Sequence, residues 1–463
     1  MSFEDLRLID THAHLDMEEF AHDLPQVLSA AAAEGVVQII TIGTGMVSSV
    51  RAKTLAESNP RIYFTAGVHP HDVKEIKEGD YEKLRELLTH PKAAALGETG
   101  LDYHYDHSPR EVQREHFARQ IALAKESGKP LVIHSREAED DTMDIMLAQG
   151  AQDAGGTMHC FAGGRGMARK ALDMGFFISV GGTLTFTNAD ALREVIKTVP
   201  IERLLLETDC PYLAPKPLRG KRNEPAYLKF VVDMLADIKG LSREDVARIT
   251  TLNAMTLFRI GDLPSEGSLA YPIRDSLYLN ITNRCTNECA FCVRNTTDFV
   301  KGHNLRLTRD PSLSEILHAM KGFENYKEVV FCGYGEPFMR FDIIREVSKV
   351  VKSKGVRVRV NTNGHALLIN SESILPQMEG LVDALSVSLN FDDPERYEKM
   401  CKPDAGPKAY ESLKEFVKKA RAFVPDVTVT AVDMPGVNIA ECRRIAEEEL
   451  GVKLRVRQFD VVG

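Results

Sequence analysis

The stretch LRLIDTHAH, residues 6–14, is a short apolar run that ends in two histidines spaced two positions apart. Similar short apolar runs recur along the first half of the chain and alternate with longer segments of helical pattern. Eight alternations of strand and helix over roughly 250 residues are typical of a (β/α)8 TIM barrel. The other seven strands are predicted at 36–42, 63–68, 93–96, 131–133, 156–159, 176–180 and 203–206.

This periodic pattern stops in a cluster of turn-forming residues between Gly261 and Gly267, which favours a domain boundary there. Beyond it, six further strands alternate with helices. Six βα units predict a partial, open barrel. We therefore expect an α/β protein with a TIM barrel over residues 1–262 and a partial (β/α)6 barrel over residues 268–463. The six strands are predicted near 276–281, 328–331, 357–361, 384–389, 427–431 and 454–459.

The excess negative charge lies entirely in the first half. Residues 1–264 carry 30 Lys and Arg against 39 Asp and Glu, whereas residues 265–463 carry 28 of each. A net acidic domain can bind nucleic acid only through a local basic rim or through metal ions. The N-terminus lacks the features of a signal peptide, and no run of 18 apolar residues occurs. We expect a cytoplasmic protein without membrane contact, with cysteines that are reduced or bind a cluster.

Candidate metal ligands follow most of the predicted strands in the first half. His12 and His14 share one face of their strand, so one ion can contact both. Active sites of TIM barrels lie at the C-terminal ends of the strands, so these side chains should converge. Imidazole and carboxylate suit Zn, Mn or Mg. Six candidate ligands are enough for two divalent ions that share a carboxylate: His12, His14, Glu98, His134, His159 and Asp209.

Four motifs of the first half carry the candidate ligands or lie beside them: DTHAHLD at 10–16, AGVHPH at 66–71, GETGLD at 97–102 and RGKRNEP at 219–225. Together they closely resemble the motifs of the TatD-type metal-dependent hydrolases. The resemblance implies that His12, His14 and Asp209 hold one ion, that His134 and His159 hold the other, and that Glu98 bridges the two. It also implies hydrolysis of phosphodiester bonds, often with nuclease activity.

Roles for individual residues of this half follow from two-ion chemistry. Asp209, bound to one ion beside the attacking water, is the expected general base. Glu98 stands where many binuclear amidohydrolases have a carbamylated lysine, which favours phosphoester over amide bonds. The residues expected to hold substrate phosphates are His69, Arg136, Arg219 and Arg222. A solvated loop with surface ion pairs is an equal alternative for 216–222, and His69 can instead support the metal ligands.

Three closely spaced cysteines, Cys285, Cys289 and Cys292, follow the first predicted strand of the second half. A structural zinc requires four ligands, and no fourth cysteine or histidine lies at the usual spacing. Three thiolates leave one iron of a [4Fe–4S] cluster open to an outside ligand. The motif Cys-x3-Cys-x-Phe-Cys resembles that of radical SAM enzymes, in which S-adenosylmethionine fills the open position. A zinc ribbon is the alternative.

Further motifs of the second half fit the same resemblance. Gly333-Tyr334-Gly335-Glu336-Pro337 resembles the segment whose backbone meets the methionine amino group of S-adenosylmethionine. The resemblance places Phe291 beside the adenine. Polar residues at the ends of the next two strands suit the ribose and the methionine carboxylate: Asn361, Asn363, Ser386 and Ser388. The fifth strand lacks the glycines often found in the adenine-contacting motif of the family.

The combination of both halves resembles TatD-associated radical SAM proteins. Our leading hypothesis is a bifunctional enzyme, with a metal-dependent phosphoesterase or deoxyribonuclease joined to a radical SAM domain that acts on an unknown substrate. An alternative is an amide or ester hydrolase that processes the radical product without nucleic acid. A third possibility is that one half is a scaffold. We expect a small-molecule or nucleic-acid substrate, an electron donor for the cluster, and a lid or protein partner that covers the open barrel.

Overall fold

A computed structural model describes residues 6–458 of the chain. The chain divides into two compact units, with the boundary between Leu263 and Pro264. This boundary falls within the cluster of turn-forming residues that ends the first repeating pattern. Each unit has its own hydrophobic core.

The first unit is a parallel eight-stranded sheet in the order β1 to β8, as expected for a TIM barrel. A parallel bridge between Ala13, at the end of β1, and Cys210, which follows β8, brings the two edges together. The core is formed by apolar strand residues and by the helices packed on the outside. The strands are Leu8–Ala13 (β1), Val36–Thr41 (β2), Ile62–Ala66 (β3), Ala93–Asp102 (β4), Leu131–Arg136 (β5), Gly156–Met158 (β6), Phe177–Val180 (β7) and Leu204–Leu206 (β8).

Helices connect consecutive strands, and their ends follow local sequence signals. Ser242 accepts a hydrogen bond from the backbone of Asp245 and so caps the last helix of the unit. Gly128 ends α4 in a left-handed conformation with φ 62°. The helices are Leu24–Ala33 (α1), Met46–Ser58 (α2), Asp80–Leu88 (α3), Arg110–Ser127 (α4), Glu139–Ala148 (α5), Arg165–Asp173 (α6), Asp190–Thr198 (α7), Leu228–Lys239 (α8) and Arg243–Phe258 (α9).

Strand β4 is longer than the predicted 93–96 and continues to Asp102, and all of its residues are buried. Glycine makes this extension possible. A side chain at Gly100, where φ is 140°, would place its Cβ 1.9 Å from the carbonyl oxygen of His134 on β5. Because the backbones approach this closely, the strand carries both Glu98 and Asp102 to the end of the barrel.

The second unit contains a seven-stranded sheet in the order β17-β16-β15-β14-β13-β10-β9. Six strands are parallel, whereas β9 pairs antiparallel with β10 at the edge. β9 was not predicted, and its Pro272 is tolerated because an edge strand has one unpaired side. The strands are Ala270–Ile273 (β9), Ser276–Leu279 (β10), Phe299–Val300 (β11), His303–Asn304 (β12), Glu328–Phe331 (β13), Arg357–Thr362 (β14), Ala384–Ser388 (β15), Asp426–Asp433 (β16) and Lys453–Gln458 (β17), of which β11 and β12 form a separate hairpin.

Alternate residues of the central strands pack against the helices of this unit. Val358 and Val360 of β14, for example, lie in the core with Phe416 of α15. A capping box between Ser312 and Glu315 begins the first helix. The helices are Leu313–Ala319 (α10), Phe341–Ser353 (α11), Ala366–Ile369 (α12), Ile374–Gln377 (α13), Pro394–Cys401 (α14), Lys408–Ala420 (α15) and Ile439–Arg444 (α16), and a π-helical turn follows at Ile445–Glu449.

Candidate functional site

The two histidines of the first motif and Asp209 form a compact group at the C-terminal end of the barrel. The Nε2 atoms of His12 and His14 lie 3.3 Å apart, and Asp209 Oδ1 lies 3.2 Å from His14 Nε2 and 3.7 Å from His12 Nε2. Asp209 adopts a left-handed conformation, with φ 57°. Its backbone N–H donates to the carbonyl of His12 at 2.8 Å, which ties the end of β8 to β1.

Glu98 is the centre of a second group, in which imidazoles approach both of its carboxylate oxygens. His12 Nε2 lies 3.4 Å from Oε2. The closest approach to Oε1 is that of His134 Nδ1, at 3.0 Å, followed by His69 Nε2 at 3.5 Å and His159 Nε2 at 3.6 Å. The Gly97–Glu98 peptide bond is cis. Glu98 therefore connects residues from β1, β5 and the loops after β3 and β6.

The electrostatic balance of the centre keeps Glu98 ionised. Burial would raise the pKa of this carboxyl, but the neighbouring imidazoles of His159 and His69 hold the pKa well below its usual range. The pKa of His159 is raised to about 10, because the carboxylates of Glu207 and Glu98 outweigh the effect of burial. Positive charge is therefore favoured in the space between these side chains.

Two carboxylates behind the histidines were not among the predicted site residues. Asp102 Oδ2 lies 3.1 Å from His134 Nε2 and also 3.1 Å from His71 Nε2. Glu207 contacts His159 Nδ1 at 3.2 Å. A carboxylate that accepts from the outer ring nitrogen orients the inner one toward the site. Asp102 and Glu207 both lie inside quoted motifs, but only the folded barrel shows that they face histidines.

The grouping of the predicted ligands differs in part from the expected sets. His159 stacks on His12, with ring centroids 3.5 Å apart, and the two rings form one group with Glu98. His69, expected to contact substrate, lies instead with Glu98 and His134 in a group that can hold an ion. The backbone N–H of His69 donates to the carbonyl of Thr44 at 2.9 Å, which ties the loop after β3 to the loop after β2.

The three predicted substrate arginines lie in different environments. The guanidinium of Arg136 stacks over the ring of Tyr105 at 4.7 Å, and that of Arg219 stacks over Phe186 at 3.8 Å. Both arginines are exposed. Arg222 instead forms ion pairs with Asp23 at 2.6 Å and Glu224 at 2.9 Å, so its charge is satisfied within the chain.

An exposed tyrosine, Tyr212, was not predicted as a site residue. Its ring lies 5.9 Å from that of His14, and 49% of its surface is exposed. The residue follows the Asp209–Pro211 segment, and the position of this segment beside His14 depends on the contact between the end of β8 and β1. Tyr212 therefore offers an aromatic surface beside the histidine pair.

The loop of Cys285, Cys289 and Cys292 follows β10, and all three thiols are half-buried. The loop pairs with the end of α14 and with the residues after it. The N–H of Glu288 donates to the carbonyl of Cys401 at 3.0 Å, and the N–H of Asp404 donates to the carbonyl of Thr286 at 3.0 Å. The contact with the Cys401 thiol and burial raise the pKa of Cys289. The three thiols are thus held on one short, anchored loop.

The glycines of the 333–337 turn are required by the cluster loop itself. A Cβ at Gly333 would lie 2.2 Å from Asn280 Oδ1, and one at Gly335 would lie 2.2 Å from the carbonyl oxygen of Arg284. Glu336 is buried and accepts hydrogen bonds from the N–H of Asn363 at 2.7 Å and from Thr362 Oγ1 at 2.8 Å. Its carboxylate thus joins the turn to the end of β14.

The remaining predicted cofactor residues surround the same loop or line the sheet. Asn363 donates to Thr286 Oγ1 at 2.8 Å and approaches Cys285 Sγ at 3.8 Å. Asn361 accepts from Arg359 at 3.0 Å. Phe291 packs against Phe391, with centroids 5.9 Å apart. Ser386 and Ser388 are half-buried on β15.

His365 is a further residue near the cluster loop that was not predicted. It lies 3.0 Å from Thr286 Oγ1 and 2.8 Å from the hydroxyl of Tyr397. The side chain is buried, and this burial lowers the pKa of the imidazole to about 4. His365 is therefore a neutral link between the cluster loop and α14.

Among the described residues, no helix has both the length and the apolar character needed to cross a membrane.

Comparison with known proteins agrees with this division. Residues 9–259 match the family model described as TatD related DNase, and residues 279–448 match that of the Radical SAM superfamily. The uncharacterized metal-dependent hydrolase YabD of Bacillus subtilis is 47% identical over 253 residues, which are 55% of this chain and 99% of that protein. The 3′-5′ ssDNA/RNA exonuclease TatD of Klebsiella pneumoniae is 34% identical over 258 residues, which are 55% of this chain and 98% of that protein.

A solved structure gives the same result for the first unit. The crystal structure of YjjV, a TatD homolog from Escherichia coli, superposes with a TM-score of 0.53 and 31% sequence identity, and the match covers 55% of this chain and 99% of that one. The chain therefore belongs to the TatD-related family of metal-dependent hydrolases and carries, after its TatD domain, a second enzymatic domain of the radical SAM superfamily.

Proposed function

We propose that the protein is a bifunctional enzyme. Its first unit hydrolyses phosphodiester bonds with two divalent ions, Zn, Mn or Mg. Its second unit cleaves S-adenosylmethionine at a [4Fe–4S] cluster and so begins radical chemistry on a separate substrate. The observation that carries the hydrolytic part is the convergence of His12, His14 and Asp209 beside Glu98, with three further imidazoles around that carboxylate.

The donor atoms of the first unit fit a divalent ion in both chemistry and spacing. A tetrahedral zinc with bonds of about 2.0–2.1 Å requires ligand atoms about 3.3 Å apart. The His12–His14 and His14–Asp209 separations are 3.3 and 3.2 Å. The buried His12 Nδ1 has no hydrogen-bond partner among the described residues. The three atoms that converge are His12 Nε2, His14 Nε2 and Asp209 Oδ1. A single proton cannot bond to all three, whereas a divalent cation can.

Two overlapping groups of side chains around Glu98 could hold a second ion. His134 and His69 face Oε1 from one side, and His159 approaches the same oxygen while it stacks on His12. We assign Glu98 as the shared ligand and His134 as the ligand with the closest approach. Asp102 then holds the His134 ring, because its carboxylate accepts from Nε2 and leaves Nδ1 directed toward the site.

Two bound ions would supply charge stabilisation for an in-line displacement and would lower the pKa of a water molecule. Asp209 receives the proton of the attacking water at Oδ2, because Oδ1 faces His14. Burial would raise the pKa of Asp209, but His14 and His159 lower it, so the carboxylate is ionised and can accept a proton.

The substrate we favour is DNA or a related phosphodiester. The Klebsiella relative is named as a single-strand exonuclease, and we extend that substrate class to this chain. Arg136 and Arg219 are exposed and able to contact phosphates, and the exposed ring of Tyr212 beside His14 offers a surface for base stacking. Arg222 is not included, because Asp23 and Glu224 hold it.

In the second unit, Cys285, Cys289 and Cys292 would hold the cluster, which supplies one electron for the reductive cleavage of S-adenosylmethionine. The chain itself orients these thiols. Asn363 approaches Cys285, and the buried Glu336 fixes the turn beside the cluster loop. Asn361, Ser386, Ser388 and Phe291 are the residues we propose to contact the bound cofactor. An external electron donor is required, and we propose that a partner or lid covers the open barrel.

The hydrolytic assignment is tested with His134→Ala in the full chain. We expect manganese-dependent hydrolysis of a single-stranded oligonucleotide to fall at least a hundredfold, because the closest ligand to Glu98 is removed. His104→Ala is the matched control, since His104 is an exposed histidine paired with Glu137. Unchanged hydrolysis in His134→Ala would refute the assignment.

A salt titration separates this proposal from the alternative of an amide or ester hydrolase. Binding of an oligonucleotide through several phosphates weakens steeply with ionic strength, whereas binding of a neutral amide or ester does not.

The proposed cleavage of S-adenosylmethionine by the second unit is tested separately. Anaerobic, iron-reconstituted protein with dithionite should release 5′-deoxyadenosine and methionine, and Cys289→Ala should abolish this reaction. Retention of SAM cleavage in Cys289→Ala would refute the cluster assignment.

A further inference from the structure

The two faces of the second sheet differ in chemistry. On β14 to β17 one set of alternate residues lies in the helix-packed core, for example Val360, Val387, Val429 and Leu454. The residues between them form the opposite surface, which we call the inner face. Three of its cross-strand pairs are polar, namely Asn361 with Ser386, Ser388 with Thr430 and Thr430 with Arg455. This face is therefore built to contact a polar molecule.

Two arginines stand on the inner face of the last strand. Arg455 and Arg457 are two positions apart on β17, so their side chains point to the same side. Arg455 lies opposite Thr430, and Arg457 lies opposite Val432. Both are exposed. Within residues 6–458 neither has a carboxylate partner, and the charged neighbours that influence Arg457 are Cys332 and Arg455.

Other arginines of the same sheet are already neutralised. Arg359 on β14 bonds Glu328 at 2.6 Å, and Arg357 bonds Asp426 at 2.6 Å. Adjacent guanidinium groups repel each other, and an anion bound between them would relieve that repulsion. The contrast singles out Arg455 and Arg457 as the available pair.

The side chain of Arg457 faces the hollow of the sheet, because residue 457 alternates with Leu454 and Val456, which pack on the core side. It is exposed to solvent, yet surrounding protein lowers the pKa of its guanidinium, as expected for a side chain within a concave surface. Its charge also acts on Cys332: burial raises the pKa of this thiol, and Arg359 and Arg457 oppose that rise. Cys332 immediately follows β13, and three strands lie between β13 and β17.

In a flat sheet, strands spaced about 4.8 Å apart would place β13 and β17 about 19 Å from one another. An interaction across that distance would be largely screened. Strands of an open parallel sheet twist, and a curled sheet brings β17 nearer to β13 than a flat one. The charge of Arg457 acts on Cys332, the residue directly before the Gly333–Glu336 turn, as such curvature requires. The arginine pair and Cys332 therefore face the same hollow, and the turn that follows Cys332 packs against the start of the cluster loop.

We propose that Arg455 and Arg457 bind an anionic group, a phosphate or a carboxylate, on the substrate of the radical SAM domain. Guanidinium groups suit either oxyanion because their paired N–H donors match two oxygens. The proposal rests on the radical SAM function of the second unit and names the chemical class of its unknown substrate. A phosphate would be consistent with a nucleotide released by the hydrolytic unit.

The test uses the full-length, cluster-loaded protein under anaerobic conditions with S-adenosylmethionine present. Calorimetry measures the dissociation constants of thymidine 5′-monophosphate, thymidine and glutarate. We expect the monophosphate or glutarate to bind, and the double variant Arg455→Gln/Arg457→Gln to weaken that binding by tenfold or more. The anion that the wild-type protein prefers identifies the phosphate or carboxylate source.

Lys453→Gln is the matched control, since it removes one positive charge from the same face of β17, two positions before Arg455. Binding to the first unit is common to all variants and cancels in the comparison. Equal effects of Lys453→Gln and the arginine variant, or no anion binding at all, would overturn the proposal. So would a loss confined to S-adenosylmethionine, because the arginines would then serve the cofactor.

Failure of the underlying function has a different signature. If the wild-type protein retains no iron and binds no S-adenosylmethionine, the radical SAM function itself fails. If it binds S-adenosylmethionine but shows no arginine-dependent anion binding, only the proposed substrate class is wrong. Equal iron content in the wild-type and variant proteins confirms that the variants fold around the cluster.

Discussion

Replacement of Asp102 by asparagine tests whether an unpredicted carboxylate orients a metal ligand. Asp102 is buried, and its Oδ1 accepts from the backbone N–H groups of His104 at 3.0 Å and Tyr105 at 2.9 Å. Its Oδ2 faces His134 and His71, each at 3.1 Å. An amide keeps the first oxygen for the backbone donors but presents NH2 to the two imidazoles.

The change therefore removes the acceptor that orients His134 and leaves its backbone contacts in place. A hydrogen bond to a charged group contributes about 1.5–3 kcal/mol, so we expect a loss of about 2 kcal/mol. At about 1.4 kcal/mol per tenfold change, this corresponds to a roughly 30-fold weaker ion affinity. The value lies within the 10- to 100-fold range typical of such supporting carboxylates.

The assay is a calorimetric titration of the chelator-stripped, cluster-loaded chain with Mn²⁺. We choose Mn²⁺ because thiolates bind it more weakly than they bind zinc, so binding at the cysteines interferes less. Hydrolysis at limiting Mn²⁺ should fall in parallel and recover in part at excess metal. Asp106→Asn is the control, because Asp106 lies in the loop that follows Asp102 and pairs only with the exposed Arg110 among the described residues. A dissociation constant within threefold of wild type for Asp102→Asn would refute the reasoning.

Three further predictions concern the stability of the two units. Gly335→Ala should lower iron retention and the melting temperature of the second unit, because the new Cβ would lie 2.2 Å from the carbonyl oxygen of Arg284 and overpacking costs about 1–3 kcal/mol. Gly166→Ala is the control, because a Cβ there would have no atom within 4 Å. Equal effects of the two substitutions would contradict this prediction. His365 has a pKa lowered to about 4 by burial, so between pH 4 and about 6.5 the unfolded state binds more protons and the stability of the second unit falls as the pH falls. Denaturant unfolding at pH 5 and 7 should show a smaller pH dependence in His365→Gln, and an unchanged slope would exclude His365 as the source. Mn²⁺ at about 100 times its dissociation constant should stabilise the first unit by about 2.7 kcal/mol for each ion that binds. The whole gain should disappear with chelator, and the share of the ion held by His134 should disappear in His134→Ala but not in His104→Ala.

Much of the architecture follows from local sequence. The barrel strands are short apolar runs, and each appears in the structure within a few residues of its predicted position. The main differences have specific causes. β4 continues to Asp102 because Gly97 and Gly100 allow its backbone to approach β5. β9 was not predicted because an edge strand of four residues that contains Pro272 shows little periodicity in the sequence.

The candidate ligands were also predictable, because each lies at or just after the end of a strand and carries an imidazole, carboxylate or thiol. Their partners were not. Whether His69 or His159 lies nearer to His134 depends on how the loops after β3 and β6 turn, and the pairing of Asp102 with His134 depends on the register between β4 and β5. Similarly, Arg222 resembles a phosphate ligand in sequence, but folding brings it to Asp23, 199 positions away.

The sequence by itself therefore determined the two-domain α/β plan, the two classes of metal-binding residues and the family of each domain. Periodicity and motif spacing involve residues that are close together in the chain, so they can be recognised without knowledge of the tertiary structure. The tertiary structure alone decided which carboxylates support which histidines, why the 333–335 glycines are required, and that Arg455 and Arg457 face the same hollow as Cys332. These relations depend on strand register and sheet curvature, which bring together residues far apart in the chain.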